Sequence, residues 1–279
     1  MTKFLQIIAL VALVVACQPQ AQDRQSQQSE TADAATSTTP TETKPSDKIV
    51  LPKVDKPQDT LNVAFLIMDG TYNTELTAPI DMFQHTIFHA KPGMKVFTVA
   101  KSKAPIRTFE GQRILPDYSY TEGDLPKIDV LVVPSAEHHL DTDLEDQALI
   151  DFVKKVDKEA KYITSHCDGA FVLAQAGLLD KVACTTFPGD VGKFKKRFPQ
   201  LNVVDKVWFV HDGKYITSAG GARSFEAALY LVQLLYGKKA ADGVAKGLVI
   251  DWEVDQVPFV VAKEGKRIID RQGHRFVSK

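Results

Sequence analysis

The sequence predicts a single α/β domain of the flavodoxin-like type, in which helices cover both faces of a doubly wound, mostly parallel sheet. Two observations support this fold class. Short apolar runs rich in valine alternate with longer segments whose apolar residues recur at helical spacing. Near the carboxyl end, a hairpin and one strongly apolar helix complete the pattern. Strands that alternate with helices form parallel sheets in which both faces are covered.

The elements follow in order along the chain. Strand-length apolar runs predict strands over residues 61–68, 94–100, 128–134 and 161–165. Helical spacing predicts helices over residues 75–90, 145–160, 170–179 and 223–236. Asp212 and Gly213 form a hairpin turn signal between two further strands. Gly237 stands where the last of these helices needs its terminating glycine.

The first sixteen residues are typical of a bacterial lipoprotein signal peptide. Lys3 precedes an apolar run that is too short to span a bilayer, which needs roughly 20 residues. The run ends in Val-Val-Ala-Cys, which resembles a lipobox and predicts lipid on Cys17. The alternative is an ordinary signal peptide with an incidental cysteine. We expect a lipid-anchored protein of the bacterial cell envelope whose domain faces the periplasm.

Composition divides the rest of the chain into three parts. Residues 17–60 are polar and predict a disordered tether, because they contain too little apolar surface to offset the entropy of ordering. Residues 61–262 are long enough for one α/β core, and residues 263–279 form a basic extension, in the simplest case solvated or else a late edge strand. The formal net charge of −1 shows no basic surplus, so nucleic acid is not an expected partner.

Cys167 stands where an apolar strand ends and a helix begins. The positive end of the helix dipole favours a thiolate there, and the free amides of the first turn could receive an oxyanion. Gly169 permits the tight turn that exposes a nucleophile. The alternative is a buried structural cysteine. Cys184 lies in its own apolar segment, so we expect two free thiols rather than a disulfide.

Three dispersed motifs carry a resemblance to a known family. They are Glu-Leu-Thr-Ala-Pro near residue 75, Ser-His-Cys-Asp-Gly-Ala around residue 167, and the run from residue 212 to 237. Together they resemble the ThiJ/PfpI branch of the class I glutamine amidotransferase-like superfamily, in the style of isonitrile hydratase and of the sensor domains of AraC-type regulators. The resemblance spans residues 61–259.

The resemblance implies the roles of the site residues. Cys167 matches the reactive cysteine, and Glu75 matches an acid that contacts the thiol and, if protonated, stabilises a thiolate. Glu75 could instead be only a helix N-terminal acid. Asp168 stands where relatives have threonine, and its charge could alter substrate choice. The second oxyanion donor would come from Ser135 or Ala136, where relatives have glycines.

Histidine placement departs from the family pattern. Several relatives have a histidine at the position of Phe187, which cannot move a proton. His166 should face away from Cys167, because neighbouring strand residues point to opposite faces. His138 and His139 are interpreted as loop residues, with a direct catalytic role as the alternative.

Asp81, His85 and His89 are spaced i, i+4 and i+8 on the first predicted helix. Such a set could bind zinc, but it is more often the solvated stripe of a surface helix, which we prefer. The sequence therefore predicts no metal and no cofactor.

The functional hypothesis is an envelope-anchored hydrolase or hydratase acting through Cys167 on a small C–N or carbonyl compound. The alternative is a small-molecule binding domain without turnover, or a thiol redox sensor. The resemblance also admits a homodimer.

Overall fold

Strands and helices alternate along the chain in the computed structural model, which describes residues 49–271. The strands are β1 (Leu61–Leu66), β2 (Met94–Ala100), β3 (Ile106–Arg107), β4 (Arg113–Ile114), β5 (Tyr118–Ser119), β6 (Val130–Val133), β7 (Tyr162–His166), β8 (Ala183–Cys184), β9 (Asn202–Val203), β10 (Phe209–Asp212), β11 (Tyr215–Ser218), β12 (Phe259–Lys263) and β13 (Lys266–Asp270). The α-helices are α1 (Asn73–Gln84), α2 (Thr86–His89), α3 (Gln147–Asp157), α4 (Gly169–Gln175), α5 (Val191–Arg197), α6 (Ser224–Tyr236) and α7 (Lys238–Gly247). Short 3-10 turns cover Thr142–Glu145, Pro188–Asp190, Gly221–Arg223 and Val254–Gln256.

Nine of these strands form one sheet, which confirms the predicted doubly wound fold. Their order is β13-β12-β10-β11-β7-β6-β1-β2-β5. Within this order the β10–β11 and β12–β13 pairs are antiparallel, and the other pairs are parallel. The chain places β2 on one side of β1 and β6 on the other, which makes a topological switch point at the carboxyl ends of β1 and β6. Ligands of such sheets bind in the crevice at that edge.

Two apolar clusters cover the two faces of the sheet. One joins α1, α6 and α7 to the sheet, with Phe65, Phe83, Phe209, Tyr230 and Phe259 among its large, fully buried side chains. The other joins α3, α4 and α5 to the opposite face. This packing holds the carboxyl ends of the central strands rigidly between two helical layers.

The first predicted helix, residues 75–90, is broken in the structure. Helix α1 ends at Gln84 and α2 begins at Thr86. The Thr86 hydroxyl donates to the Phe83 carbonyl (2.6 Å) and accepts from the Met94 amide (2.8 Å). Side-chain bonds of this kind compete with the helical ladder. The prediction of one continuous helix over residues 75–90 is therefore wrong at His85.

Residues on both sides of the predicted domain contact its core. Ile49, Leu51 and Val54, which belong to the segment predicted as a tether, pack against the core. Strand β13 adds an edge to the sheet within the predicted basic extension, in agreement with the alternative of a late edge strand for that segment. The predicted signal peptide and Cys17 lie outside the described residues.

Residues 49–271 contain no helix with the length and apolar character that crossing a bilayer requires.

The predicted hairpin and helix terminus are both present. Asp212 pairs with Tyr215 across Gly213, which has φ of +63°. Helix α6 ends at Tyr236, and Gly237 follows with φ of +85°. Glycine adopts such positive angles at little cost, which is why it terminates helices and turns.

Candidate active site

Cys167 forms a strained turn between β7 and α4. Its φ is +52°, in the left-handed region that a residue with a side chain rarely adopts. Its amide donates to the Ser218 carbonyl of β11 (3.0 Å), and its carbonyl accepts from the Thr186 hydroxyl (3.0 Å). The side chain is buried, with 9% of the residue exposed. The predicted strand-to-helix turn is therefore present, and α4 begins at Gly169.

Two glycines make room for this turn. A Cβ on Gly169 would lie 2.1 Å from the Val133 carbonyl oxygen of β6. A Cβ on Gly220, which has φ of +77°, would lie 2.3 Å from Cys167 Cβ and 2.7 Å from Glu75 Oε1. Real Cβ atoms do not approach so closely, so both positions require glycine. The thiol residue is thereby packed against backbone on two sides.

Glu75 lies in the first turn of α1 and is buried. Its carboxyl group accepts the Ser135 amide at Oε2 (2.9 Å) and the Gly221 amide at Oε1 (2.8 Å), and it lies beside Cys167, since both residues contact the same face of Gly220. Burial raises the pKa of Glu75, and the two amides only partly offset that effect. The structure therefore brings Glu75 to the thiol, as the resemblance implied.

The sulfur of Cys167 has both stabilising and destabilising neighbours. The Asp168 amide and the Ser135 hydroxyl donate to it, which lowers its pKa. Burial, together with the charges of Glu75 and Asp168, outweighs these donors and raises the thiol pKa above its ordinary value. The expectation of a lowered pKa considered only the helix amides and omitted burial. A protonated Glu75 or Asp168 removes the corresponding charge effect.

Asp168 is also buried, and its carboxyl group points toward the segment that precedes α5. The Thr186 hydroxyl lies 3.1 Å from Asp168 Oδ1. Burial and the neighbouring charge of Asp190 raise the pKa of Asp168 to about 7. Asp168 is thus, after Glu75, a second buried carboxyl group near the sulfur whose pKa is raised.

The amide of Ala136 is not available as an oxyanion donor in this structure, which corrects that expectation. It donates to Nδ1 of His139 (3.2 Å), and the Ser135 amide is occupied by Glu75. His139 is fully buried, and burial lowers its pKa to about 3, so its ring is neutral. The Ser135 hydroxyl, rather than a second amide, faces the reactive atom.

The remaining predicted histidines lie apart from the sulfur. His138 is exposed and lies 3.3 Å from Asp141. His166 is buried, and its Nδ1 lies 2.8 Å from Ser218 Oγ, while its Nε2 has no partner. Burial lowers the pKa of His166 to about 3, so it is neutral in the interior. The expectation of a buried packing role for His166 agrees with this position.

Aromatic side chains lie near the site. Tyr72 and Phe109 have ring centroids 4.6 Å apart, and burial, with a further contribution from the charge of Cys167, raises the pKa of Tyr72. Phe109 and Phe187 are 53% and 43% exposed. Phe187 directly follows Thr186, whose hydroxyl contacts the thiol residue.

The helix stripe of Asp81, His85 and His89 does not gather as a metal site. His85 lies at the helix break, and the His89 ring would meet a Cβ on Gly243 of α7 at 2.5 Å. Within residues 49–271, no three His, Cys, Asp or Glu side chains are arranged to hold a metal ion.

Sequence reasoning missed several residues that complete the site. Gly220 and Gly221 approach the thiol and Glu75 from the loop after β11, and Asp190 approaches Asp168. The adjacent pair of glycines directly after a predicted strand was the one signal that could have indicated a close backbone approach. Nothing in the local sequence distinguishes Asp190 from a surface residue.

Comparisons with known proteins identify the family and agree with the fold. Residues 61–234 match the sequence model of the DJ-1/PfpI family. Isonitrile hydratase from Pseudomonas putida is 29% identical over 184 residues, which are 65% of this chain and 75% of that protein. A ThiJ/PfpI family protein from Pseudomonas syringae superposes with a TM-score of 0.60 at 25% identity, over 70% of this chain and 77% of that one. An AraC family transcriptional regulator from Pseudomonas putida has a TM-score of 0.60 at 21% identity, over 67% of this chain and 99% of that one.

Proposed function

The chain belongs to the DJ-1/PfpI family, and from that premise we propose that it is a thiol-dependent hydratase or hydrolase acting on a small C–N or carbonyl compound. The observation that carries the proposal is the buried carboxyl group of Glu75, which the Ser135 and Gly221 amides hold beside Cys167, where both face Gly220. Burial raises the pKa of Glu75, which favours its protonated form, and the proposal assigns to this carboxyl group the proton transfer next to the sulfur.

The chemistry requires one nucleophile and one proton source. For an isonitrile, R–N≡C, the sulfur of Cys167 bonds to the terminal carbon while that carbon receives a proton, which gives the thioimidate R–N=CH–S–Cys167. Water then adds to the same carbon, the C–S bond breaks, and the thiol regains its proton as R–NH–CHO leaves. Glu75 is placed to give and recover the proton at the sulfur side, so the carboxyl group ends each cycle as it began.

The same pair of groups suits an aldehyde. A thiol adds to the aldehyde carbon of a 2-oxoaldehyde to give a hemithioacetal, and the adjacent acid protonates the carbonyl oxygen. The hydrogen on that carbon then moves, by way of an enediol, to the neighbouring carbonyl carbon, which gives a 2-hydroxy thioester. Water adds to the thioester, the C–S bond breaks, and the thiol regains its proton as the 2-hydroxy acid leaves. The proposal therefore names a class of electrophile, a carbon attached to nitrogen or oxygen by a multiple bond, rather than one compound. The name of the Pseudomonas putida relative makes the isonitrile the first compound to test.

The test is product formation by the full chain with an alkyl isonitrile and, separately, with a 2-oxoaldehyde. We expect the formamide or the hydroxy acid to appear with wild-type protein and with Cys184→Ala. We expect Cys167→Ala to lose turnover by at least about 10³-fold, since the nucleophile is absent. Equal rates for Cys167→Ala and wild type with both compounds would refute the proposal.

A second candidate is binding without turnover, or reversible oxidation of the thiol. The observation that favours it is the burial of Cys167, which leaves little room for a large substrate. In this case electrophiles would raise the melting temperature and form a stable adduct on Cys167, with no product released. Intact mass after incubation separates the two functions, because turnover regenerates the free thiol.

We also propose that lipid on Cys17 holds the domain in the bacterial envelope. The support is the short apolar run that ends in Val-Val-Ala-Cys, followed by polar sequence. Cys17→Ser should lose the lipid mass and move the protein out of the membrane fraction, with the internal Cys184→Ser as control. An unchanged mass and membrane fraction for Cys17→Ser would contradict the anchor.

A further inference from the structure

His166 and Ser218 are neighbours across two strands of the sheet. They are partners in the parallel register of β7 and β11, so their side chains point to the same face. Both residues are buried, and Nδ1 of His166 lies 2.8 Å from Oγ of Ser218. His166 is thus hydrogen-bonded to the last residue of β11, directly before the loop that contains Gly220 and Gly221.

Ser218 connects this histidine to the backbone of the site. Its carbonyl oxygen accepts the amide of Cys167 (3.0 Å). Its Oγ accepts the amide of Gly220 (3.3 Å), the residue that packs against Cys167. The next amide, that of Gly221, donates to Glu75 Oε1 (2.8 Å). Ser218 therefore holds both the backbone of the thiol residue and the glycine turn (Gly220 and Gly221) from which Glu75 receives a hydrogen bond.

The contacts also indicate the direction of the bond between His166 and Ser218. The Ser218 hydroxyl accepts from Gly220, and its own buried proton needs an acceptor, which Nδ1 of His166 provides. Burial lowers the pKa of His166 to about 3, so the neutral ring carries its proton on Nε2. With an apolar side chain at position 166, the hydroxyl would lose this acceptor and turn toward another one, which would release the Gly220 amide.

We propose that His166 is a positioning residue, which orients the Ser218 hydroxyl and thereby fixes the glycine turn that holds Glu75 beside Cys167. His166 acts through Ser218 and not on the sulfur. This inference deepens the proposed function and rests on it only for the consequence in turnover, since the state of the glycine turn is measured without any substrate.

The direct test is hydrogen exchange of the two amides of the glycine turn, measured by NMR in the full chain. We expect both amides to be protected in wild type. In His166→Val and in Ser218→Ala they should exchange at least about tenfold faster, because the hydroxyl no longer holds the turn. His166→Asn should keep most of the protection, since its side-chain oxygen can accept a hydrogen bond near the position of Nδ1.

Tyr230→Phe is the matched control for the loss of a buried hydroxyl. The Tyr230 hydroxyl lies 2.7 Å from Nδ1 of His211, and both residues are buried. Removal of this bond should lower the overall stability, as His166→Val does, without a selective effect on the glycine turn. Equal acceleration of exchange in Tyr230→Phe and His166→Val would overturn the inference. Wild-type exchange in both His166→Val and Ser218→Ala would overturn it as well.

The ring nitrogens of His166 provide a second measurement. Their ¹⁵N chemical shifts should show an unprotonated Nδ1 and a protonated Nε2, with no change between pH 5 and pH 9. Ser218→Ala should change the shift of Nδ1, because its donor is absent. A proton on Nδ1 in wild type would contradict the proposed orientation of the Ser218 hydroxyl.

Turnover separates this inference from the proposed function. With an alkyl isonitrile we expect His166→Val to lower kcat by about tenfold with little change in KM, and His166→Asn to restore most of it. A wild-type kcat in His166→Val would contradict the positioning role. If wild type converts neither the isonitrile nor the 2-oxoaldehyde, the proposed function fails, while hydrogen exchange and the ring nitrogens still decide the role of His166.

Discussion

Cys167 and Cys184 are both buried, yet their surroundings differ in kind. Cys184 lies in β8 and its Sγ contacts the Asn202 carbonyl oxygen at 3.9 Å, a long and weak bond. Burial and the charge of Asp212 raise its pKa to about 12. Burial also raises the pKa of Cys167. Its sulfur, however, has the Asp168 amide, the Ser135 hydroxyl and the Glu75 carboxyl group as neighbours.

Burial alone does not separate a structural thiol from a reactive one. At Cys184 the thiol is itself the donor, to the Asn202 carbonyl oxygen, and this contact favours the protonated thiol over the thiolate. At Cys167 two of the groups that raise the pKa are acids whose own pKa values are raised, so their protonation changes the sulfur. The reactivity of Cys167 is thus adjustable by proton transfer, whereas that of Cys184 is fixed.

The largest expected effect is selectivity between the two thiols. At pH 8 we expect iodoacetamide to alkylate Cys167 about 100-fold faster than Cys184, because Cys184 is completely buried whereas Cys167 is partly accessible and its pKa falls when the neighbouring acids are protonated. The measurement is time-resolved peptide mass spectrometry of the native protein, with urea-unfolded protein as the control in which both thiols react alike. Equal alkylation rates of Cys167 and Cys184 in the native protein would show that their surroundings do not make the two thiols differ in reactivity.

The next effect concerns the backbone that packs against the thiol. Gly220→Ala should lose a few kcal/mol of unfolding free energy, because its Cβ would overlap Cys167 in addition to the cost of the left-handed backbone. Gly213→Ala is the matched control: it has φ of +63°, but its Cβ would meet nothing within 4 Å. It should lose only about 1 kcal/mol. Urea unfolding measures the unfolding free energy of both variants. Similar losses would mean that the close contact between position 220 and Cys167 does not contribute to the cost.

Glu75 gives a smaller but more specific effect. In the proposed mechanism a protonated Glu75 donates to the sulfur. Glu75→Leu removes that donor and leaves the Ser135 and Gly221 amides without their acceptor, so alkylation of Cys167 should slow by about tenfold and stability should fall by about 2 kcal/mol. Glu75→Gln keeps one acceptor and a donor but cannot exchange a proton. It should retain alkylation and lose turnover. If both variants alkylate at the wild-type rate at every pH, Glu75 does not act on the sulfur.

The last expected effect is a gradual one, the pH dependence of stability at Asp168. Its folded-state pKa, about 7, lies above its usual value of 3.8, so the folded state keeps the proton that the unfolded state releases. Wild-type stability therefore falls as pH rises from about 4 to 7, by at most about 4 kcal/mol. Asp168→Asn lacks this loss, so its advantage over wild type should grow across that window and stay constant above it. Urea unfolding at pH 4.5, 6 and 8 checks this, and a constant difference would contradict a protonated Asp168.

Much of the fold could be predicted because it depends on local pattern. Strand β2 has the predicted bounds, and the turn at Cys167 follows from an apolar strand that meets a helix. The break at His85 could not be predicted, because it depends on a bond from Thr86 to Met94. The same holds for Ala136, whose amide is taken by a histidine that appeared to be a loop residue.

The candidate site was predicted unevenly for a related reason. The resemblance supplied Glu75 and Cys167, which the structure brings together across 92 positions of sequence. The resemblance did not identify Asp190, because Asp190 affects the site only by raising the pKa of Asp168. Asp168 itself departs from the family pattern, in which this position is a threonine. Contacts between residues that are distant in sequence and unusual in type produce no hydrophobic periodicity and no motif spacing, so they cannot be predicted from the sequence pattern.

The two glycines beside the thiol restrict how this protein can evolve. Neither Gly169 nor Gly220 can gain a side chain without displacing strand β6 or Cys167. Single substitutions at these two glycines should therefore destabilise the fold strongly. The exposed rings of Phe109 and Phe187, in contrast, can be replaced with little loss of stability. New substrate preferences in this lineage would arise by altering those aromatic residues, and a saturation library would recover viable variants at positions 109 and 187 but none at 169 or 220.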